Sequence, residues 1–269
     1  MRSFLLAATC LVVSACAAPE LASHDGAAQG DIGPDSQCPV DGEARRDQLD
    51  ASIHDYLTRH PEVLMEMSAA LRQKQRAAME EKAKQALADN HAALFDDPAD
   101  PVVGNPKGDV TVIEFFDAEC PYCKKLAPDL RRLMAVDPGV KLIYKEFPIL
   151  GPGSMAAAKA ALAARRQGKY EAFHDALMAD ATPEHQLAEP RILQIAKAAG
   201  LDVARLKTDM ASPEIAAKIA ANIDLARKIG LTGTPGLIIG GSLVPGAMPY
   251  EALKQAVAEA RLQKITARQ

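Results

Sequence analysis

Two cysteines three positions apart, Cys120 and Cys123, are the residues of this sequence best placed to do chemistry. They follow a mostly apolar segment that predicts a β-strand, and they stand at the start of a segment with helical periodicity. A cysteine at a helix N-terminus lies beside unpaired backbone N–H groups, which stabilise the thiolate and lower the thiol pKa below about 8.5. The spacing places both sulfurs on one helical face, within reach of one disulfide. The pattern predicts Cys120 as the exposed nucleophile and Cys123 as the shielded resolving thiol.

Charged residues flank the pair on both sides. Lys124 and Lys125 would lower the pKa of Cys120 further, whereas Glu119 would raise it by repelling the thiolate. Because these effects roughly offset each other, we expect the helix end and local hydrogen bonds to set the Cys120 pKa.

A Cys-x-x-Cys pair also occurs in zinc sites and in structural disulfides. Zinc normally needs four ligands, and the sequence has no second pair of this kind, while its six histidines are scattered. A structural disulfide that closes so short a loop at a helix start would be strained. Redox chemistry is therefore the favoured interpretation. We predict no metal site and no cofactor beyond a redox-active Cys120–Cys123 disulfide.

The segments around the cysteines predict an α/β domain. In chain order we predict a strand, a helix, a second strand, a helical block, a hairpin and a last helix, at residues 110–117, about 121–136, 140–145, about 154–230, 237–244 and from about 249. The strand–helix–strand order implies a parallel pair joined by a right-handed crossover. Because the helical block falls between the two halves of the sheet, it is an insertion rather than a separate domain.

In its motifs the sequence resembles the thioredoxin superfamily, specifically the DsbA-like periplasmic thiol-disulfide oxidoreductases with an inserted helical domain. The resemblance covers about residues 96–260. It rests on three motifs in family order, which are Glu114-Phe-Phe116, Cys120-Pro-Tyr-Cys123 and Gly230-Leu-Thr-Gly-Thr-Pro-Gly236. The resemblance implies a thioredoxin-like catalytic domain at 96–269 with a helical insertion at about 153–229.

The resemblance also implies roles for individual residues. Pro235 would be cis and lie against the cysteines, so that Thr234 offers its backbone to an extended substrate peptide. Glycines on both sides of this dipeptide supply the backbone freedom that a tight turn needs. Pro121 and Tyr122 would join them in substrate binding, and Glu114 matches a buried acid that assists proton transfer to the resolving cysteine. The alternatives are a plain surface turn at Thr234-Pro235 and an ordinary strand glutamate at Glu114.

A polar helical segment at residues 45–95 precedes that domain. Apolar residues along it form one narrow stripe, which contains Ile53, Leu57, Leu64, Met67, Leu71 and Ala78. His60-Pro61 interrupts the pattern, so we expect two helical pieces. The segment is either an amphipathic extension that packs on its own domain or a stalk through which several chains associate. Its wide charged face favours the stalk.

Two further motifs resemble the subgroup of the suppressor-of-copper-sensitivity thiol proteins. They are Tyr56-Leu-x-x-His-Pro-Glu-Val-Leu64 and Lys145-Glu-Phe-Pro-Ile-Leu-Gly-Pro152. The resemblance implies a homo-oligomer that tends to act as a disulfide isomerase. The dipeptide Pro121-Tyr122 occurs in both isomerase-like and glutaredoxin-like members of the superfamily, which leaves the direction of electron flow open.

The first 16 residues predict a secretory signal peptide, because a basic residue precedes a short apolar run and small residues follow. Val13-Ser-Ala-Cys16 resembles a bacterial lipobox, in which Cys16 would be lipidated. Cleavage at Ala15-Cys16-Ala17 is the alternative. Residues 17–44 predict a flexible linker, in which Cys38 is either a spare thiol or a partner in an intermolecular disulfide. The expected location is the periplasm, with an anchoring lipid at Cys16.

Composition narrows the functional classes. The net charge of −4, with no basic block, argues against a nucleic-acid partner, and five cysteines in 269 residues are too few for a disulfide scaffold. The leading hypothesis is a thiol-disulfide oxidoreductase, favoured as an isomerase or reductase. Its partners would be unfolded or incorrectly disulfide-bonded client proteins and a membrane thiol-redox protein. The alternatives are a net dithiol oxidase of the DsbA type and a non-enzymatic copper-binding or holdase lipoprotein.

Overall fold

A computed structural model describes residues 41–266 of the chain, which include the cysteine pair. The helices of this part are α1 Asp41–Arg59, α2 Glu62–Asp89, α3 His91–Phe95, α4 Pro121–Val136, α5 Pro152–Arg166, α6 Tyr170–Met178, α7 Glu189–Ala198, α8 Val203–Met210, α9 Pro213–Lys228 and α10 Tyr250–Thr266. Its strands are β1 Val102–Gly104, β2 Val110–Phe116, β3 Val140–Glu146, β4 Gly236–Ile239 and β5 Ser242–Pro245. The chain divides into two units between Leu64 and Met65.

The five strands of the second unit form one mixed sheet in the order β1-β3-β2-β4-β5. The predicted parallel pair is confirmed, because β2 and β3 run parallel with Glu114 in register with Tyr144. The other pairings are antiparallel, and the predicted hairpin is β4–β5. The short edge strand β1 was not predicted, since three residues carry almost no periodicity. Helix α3 lies within the predicted helical segment 45–95, but the break at Asn90 that separates it from α2 was not predicted.

Alternating residues of the central strands lie in two cores, one on each face of the sheet. Val112, Phe116 and Tyr144 belong to the core that α4, α10 and the helices of the insertion cover. Ile113 and Phe115 belong to the opposite core, which α9 and the segment before β1 cover. The helices α5–α9 fall between β3 and β4, so the predicted thioredoxin fold with a helical insertion is confirmed.

The turn of the hairpin requires glycine. Gly240 has a φ of +58°, and a Cβ there would lie 2.3 Å from the Cβ of Ala260. A side chain would therefore collide with α10 in addition to adopting a left-handed backbone conformation. This close approach packs the last helix against the hairpin.

The N-terminal helices break where the sequence predicts. The first ends at Arg59 and the second begins at Glu62, on either side of His60-Pro61. The first helix begins at Asp41, within the predicted linker and four residues before the predicted start of the helical segment. None of the helices in residues 41–266 is both long and apolar enough to cross a lipid bilayer.

The end of the second helix belongs to the folded core. Leu87 and Leu94, in α2 and α3, are buried in the same core as Ile113 and Phe115 of β2. Lys145 of β3 donates a hydrogen bond of 2.5 Å to the carbonyl oxygen of Ala93. Residues from about 84 onward are therefore part of the domain that carries the cysteines.

Candidate active site at the dithiol

The two cysteines lie where β2 leads into α4. Cys120 is the N-cap residue of α4 with extended backbone angles, and Pro121 occupies the first turn, as expected for a proline at a helix start. No disulfide joins the two sulfurs in this structure. Cys120 is 5% exposed and Cys123 is fully buried. The predicted exposure of Cys120 was thus wrong, because the loop that contains Thr234 and Pro235 and the surrounding core cover most of its surface.

The two thiols have opposite pKa shifts. The hydrogen bond with Cys123 lowers the pKa of Cys120 to about 6, and further hydrogen bonds from Thr234 and from the backbone of Cys123 and Tyr122 outweigh the effect of burial. Burial, the hydrogen bond with Cys120 and the nearby Glu114 raise the pKa of Cys123 far above its ordinary value. At neutral pH Cys120 is therefore the thiolate and Cys123 the thiol.

The loop before β4 contacts the nucleophile. The Thr234–Pro235 peptide bond is cis, as the resemblance implies. The carbonyl oxygen of Thr234 accepts a hydrogen bond from the Cys120 thiol at an Sγ···O distance of 3.4 Å. Pro235 is buried and Thr234 is half-buried. Segments 114 residues apart in the sequence thus meet at one sulfur.

Glu114 lies in the central strand β2 and is 2% exposed. Burial, together with the charge of Cys120, raises its pKa to about 8. Because Glu114 in turn raises the pKa of Cys123, it interacts electrostatically with both thiols. A carboxyl group with a pKa near 8 populates both its neutral and its charged form near neutral pH, so it can exchange a proton with a nearby buried thiol.

The residues between and beside the cysteines face different surroundings. Tyr122 is 65% exposed, and Pro121 is also exposed. Lys124 points away from the sulfurs, because its Nζ donates hydrogen bonds to the carbonyl oxygens of Asp180 and Thr182. Lys124, which was expected to lower the pKa of Cys120, is not among the principal causes of the lowered value.

Sequence reasoning missed Asp117, which organises the turn before Cys120. Its Oδ1 accepts a hydrogen bond from the backbone N–H of Glu119 at 2.8 Å. Its Oδ2 accepts bonds from the N–H groups of Ile149 and Leu150 at 2.7 and 3.0 Å. The one available signal was an aspartate between a strand and a helix, which is typical of a turn.

The structure thus brings together every predicted catalytic and substrate-binding residue, namely Glu114, Cys120, Pro121, Tyr122, Cys123, Thr234 and Pro235, although their individual roles remain predictions. The predicted signal peptide, lipidation site Cys16 and linker cysteine Cys38 lie outside the described residues. In residues 41–266, no three His, Cys, Asp or Glu side chains are grouped as ligands for a metal ion.

A thioredoxin fold with a helical insertion, a Cys-x-x-Cys pair at a helix start and a cis-proline loop define a class of protein. In agreement, residues 111–258 match the family model of the DSBA-like thioredoxin domain. This match covers more than half of the chain, which belongs to that family. In this family the redox-active group is the cysteine pair rather than an added cofactor. Residues 46–78 match a second model, the copper resistance protein ScsC N-terminal domain.

Solved structures give the same assignment. A thioredoxin-like oxidoreductase from Silicibacter pomeroyi is 50% identical, with a TM-score of 0.61 over 64% of this chain and 98% of the other. A linker-deletion mutant of ScsC from Proteus mirabilis is 28% identical, with a TM-score of 0.64 over 85% of this chain and all of the other. The second likeness extends into the N-terminal helices.

The curated relatives of this chain include disulfide bond formation proteins and Na⁺/H⁺ antiporters. The probable disulfide bond formation protein D of Bacillus anthracis is 30% identical over 58% of this chain and 75% of its own. A Na⁺/H⁺ antiporter NhaA 3 from Salinispora tropica is 33% identical over 61% of this chain. The chain spans about a quarter of that antiporter's length.

Proposed function

We propose that this protein is an extracytoplasmic thiol-disulfide oxidoreductase that acts on protein disulfides, with isomerisation or reduction favoured over net oxidation. The observation that carries the proposal is the separation of the two thiols. Cys120 has a pKa of about 6 and contacts the proline loop, whereas the fully buried Cys123 stays protonated. Only a thiolate attacks a disulfide, so the site contains one nucleophile and one reserve thiol.

The reaction begins with the Cys120 thiolate. It attacks one sulfur of a client disulfide, forms a mixed disulfide and releases the other client sulfur as a thiolate. In isomerisation a second client thiolate then attacks the mixed disulfide, and Cys120 leaves unchanged. In reduction Cys123 loses its proton and attacks Cys120, which releases the reduced client and leaves the Cys120–Cys123 disulfide. Glu114 is the group that would take the proton of Cys123. Once Cys120 is part of the mixed disulfide, its negative charge no longer raises the Glu114 pKa, so that more of Glu114 is in the carboxylate form that can accept this proton.

The residues around Cys120 support the proposal that the substrate is a protein. Tyr122, two residues after Cys120, has a large exposed ring, and the half-buried Thr234 contacts the Cys120 sulfur through its carbonyl oxygen. An extended client segment could pair with the Thr234 backbone while Pro121 and Tyr122 contact its side chains.

The Cys120 pKa also bears on the direction of electron flow. A lowered pKa stabilises the reduced form and makes the disulfide more oxidising, and known family members range from about 3.5 for strong oxidants to about 7 for reductants. A value of about 6 lies toward the reductant end of this range. Net oxidation is the second candidate. It is favoured by the similarity of this chain to the probable disulfide bond formation protein D of Bacillus anthracis.

The N-terminal helices support isomerisation by an assembly. Large apolar residues of α1 and α2 are between 48 and 71% exposed, namely Leu49, Ile53, Tyr56, Leu64, Met65, Met67, Leu71 and Met79. Burying this surface against copies of the same chain gains about 25 cal/mol per Å². We propose a homo-oligomer with its catalytic sites close together, a periplasmic location, a lipid at Cys16 and a membrane thiol protein as the redox partner.

A test compares the mature chain with a truncated one in the refolding of scrambled ribonuclease, alongside the reduction potential of the cysteine pair. The truncation should begin at about Glu80, since Leu87 and Leu94 belong to the catalytic core. We expect an oligomer that isomerises efficiently and a truncated monomer that reduces model disulfides but isomerises poorly. A monomeric mature chain, or equal isomerisation by both forms, would refute the role of the helices. A strongly oxidising potential without isomerisation would favour the oxidase.

A further inference from the structure

The charged residues on either side of the cysteine pair contact the helical insertion instead of the sulfurs. Glu119 precedes Cys120, and Lys124 follows Cys123. Both bind residues 180–187, which connect α6 to α7 and which we call the insertion loop. The short segment 119–124, which we call the catalytic turn, is therefore fixed to one loop at both of its ends.

Glu119 makes the more buried of the two connections. Its side chain is 2% exposed, although glutamate is rarely buried without partners. Its Oε1 accepts a hydrogen bond from the backbone N–H of Leu187 at 2.9 Å, and its Oε2 accepts one from the Ser154 hydroxyl at 3.0 Å. The three segments fit closely, because a Cβ on Gly153 would lie 2.8 Å from Oε2 and 2.4 Å from the Leu187 carbonyl oxygen.

Lys124 makes the second connection from the opposite end of the turn. Its half-buried side chain donates to the carbonyl oxygens of Asp180 at 2.9 Å and Thr182 at 3.3 Å. The loop is held from a third direction by His185, whose Nδ1 lies 2.6 Å from the Leu150 carbonyl oxygen. A loop with these fixed points is a firm support for the turn it contacts.

We propose that Glu119 and Lys124 are positioning residues that fix the catalytic turn to the insertion loop, so that the helical insertion determines where the Cys120 sulfur lies. The proposal rests on the proposed function in taking Cys120 as the nucleophile. It gives the insertion a part in the chemistry, since the same sulfur must reach Thr234, Cys123 and the client disulfide from one place. Neither residue touches the reacting sulfur, so each acts through the turn.

A positioning role and a purely electrostatic role of Glu119 have opposite signs. If the turn loosens, Cys120 loses well-aligned hydrogen bonds with Cys123 and Thr234, and its pKa rises toward the ordinary value. If Glu119 acted only by its negative charge, its removal would favour the thiolate and lower the Cys120 pKa. The direction of the change therefore identifies the role.

The experiment measures the pH profile of Cys120 alkylation in the full mature chain, reduced, for Glu119→Ala and Glu119→Gln. We expect the midpoint to rise by at least about one pH unit in Glu119→Ala, which lowers the thiolate fraction several-fold at pH 6. Glutamine can still accept a hydrogen bond from Leu187, so Glu119→Gln should keep or lower the midpoint. An unchanged midpoint in Glu119→Ala, or a fall in both variants, would overturn the proposal.

Lysine variants provide a matched pair that keeps Glu119 in place, and they decide the question if Glu119→Ala does not fold. Lys124→Met and Lys125→Met each remove one positive charge, but Lys125 is exposed and its side chain makes no hydrogen bond or ion pair within residues 41–266. We expect Lys124→Met to raise the midpoint and the hydrogen exchange of the Leu187 amide, Lys125→Met to change neither, and Lys124→Arg to restore both. Equal effects of the two methionine variants would overturn the proposal. Because alkylation needs no client, a failure of the proposed function would show separately as absent disulfide exchange.

Discussion

The N-terminal helices and the domain that carries the cysteines differ in what covers their apolar side chains. In the domain, Leu94 and Phe115 are fully buried, as is the charged Lys145. In the helices, leucines and methionines of similar size are more than half exposed, Met79 by 71%. Burial stabilises the first region by about 0.8 kcal/mol per methylene group, whereas the exposed side chains of the second region do not contribute this energy. The comparison supports the proposal that the domain carries the chemistry and that the helices serve assembly.

The strongest test of this division is Cys120→Ser. We expect this variant to lose thiol-disulfide exchange completely, because serine supplies no thiolate, while its oligomeric state stays that of the wild type. Cys123→Ser should instead accumulate mixed disulfides with clients, visible on non-reducing gels. Activity in Cys120→Ser, or a changed molar mass by light scattering, would contradict the separation of chemistry from assembly.

Glu114→Gln tests the buried acid of the domain through the pH dependence of stability. The folded pKa of Glu114, about 8, lies above its unfolded value of about 4.5, so its stabilisation is complete below pH 4.5 and is lost as the pH rises to 8. Glutamine does not titrate. The variant should therefore gain stability relative to the wild type across this window, by at most about 5 kcal/mol. Denaturant unfolding at pH 4.5 and 8 measures the change, and a gain that is equal at both values would refute the buried titration.

A matched pair of leucines tests the comparison directly. Leu94→Ala should cost about 2–5 kcal/mol of unfolding free energy, because it leaves a cavity in the core. Leu71→Ala should leave the unfolding free energy of the catalytic domain unchanged, because Leu71 belongs to neither core, and should weaken association of the mature chain. Denaturant unfolding and light scattering give the two values. If Leu71→Ala changed neither stability nor association, its exposed side chain would belong to no interface.

The smallest expected effect is in the alkylation of the native dithiol. The labelling rate of Cys120 should rise about tenfold per pH unit below about pH 6 and level off above it, because the thiolate is the reactive form. Cys123 should stay unlabelled. The truncated domain should give the same labelling profile, because the hydrogen-bond partners of Cys120 all lie within that domain. A midpoint near 9, or faster labelling of Cys123, would show that the two thiols are not differentiated.

The sequence alone was sufficient for the features that depend on neighbouring residues. Cys120-Pro-Tyr-Cys123 after an apolar strand predicted the helix start, His60-Pro61 predicted the break between α1 and α2, and the alternation of segments predicted the parallel β2–β3 pair. Each rests on local geometry, such as the backbone restriction before proline or the periodicity of a helix. The cis bond before Pro235 followed from the resemblance of the motif and is confirmed.

Only the tertiary structure decided which distant residues meet. The sequence placed Glu119 and Lys124 beside the cysteines as charges that offset each other, whereas the fold directs both to the insertion loop more than 50 residues away. It also covers Cys120 and buries Leu87 and Leu94 of the helical segment in the domain. Long-range contacts depend on packing between segments that have no fixed separation in the sequence, so no local pattern specifies them. The type of chemistry was therefore readable from the sequence, and the support that positions it was not.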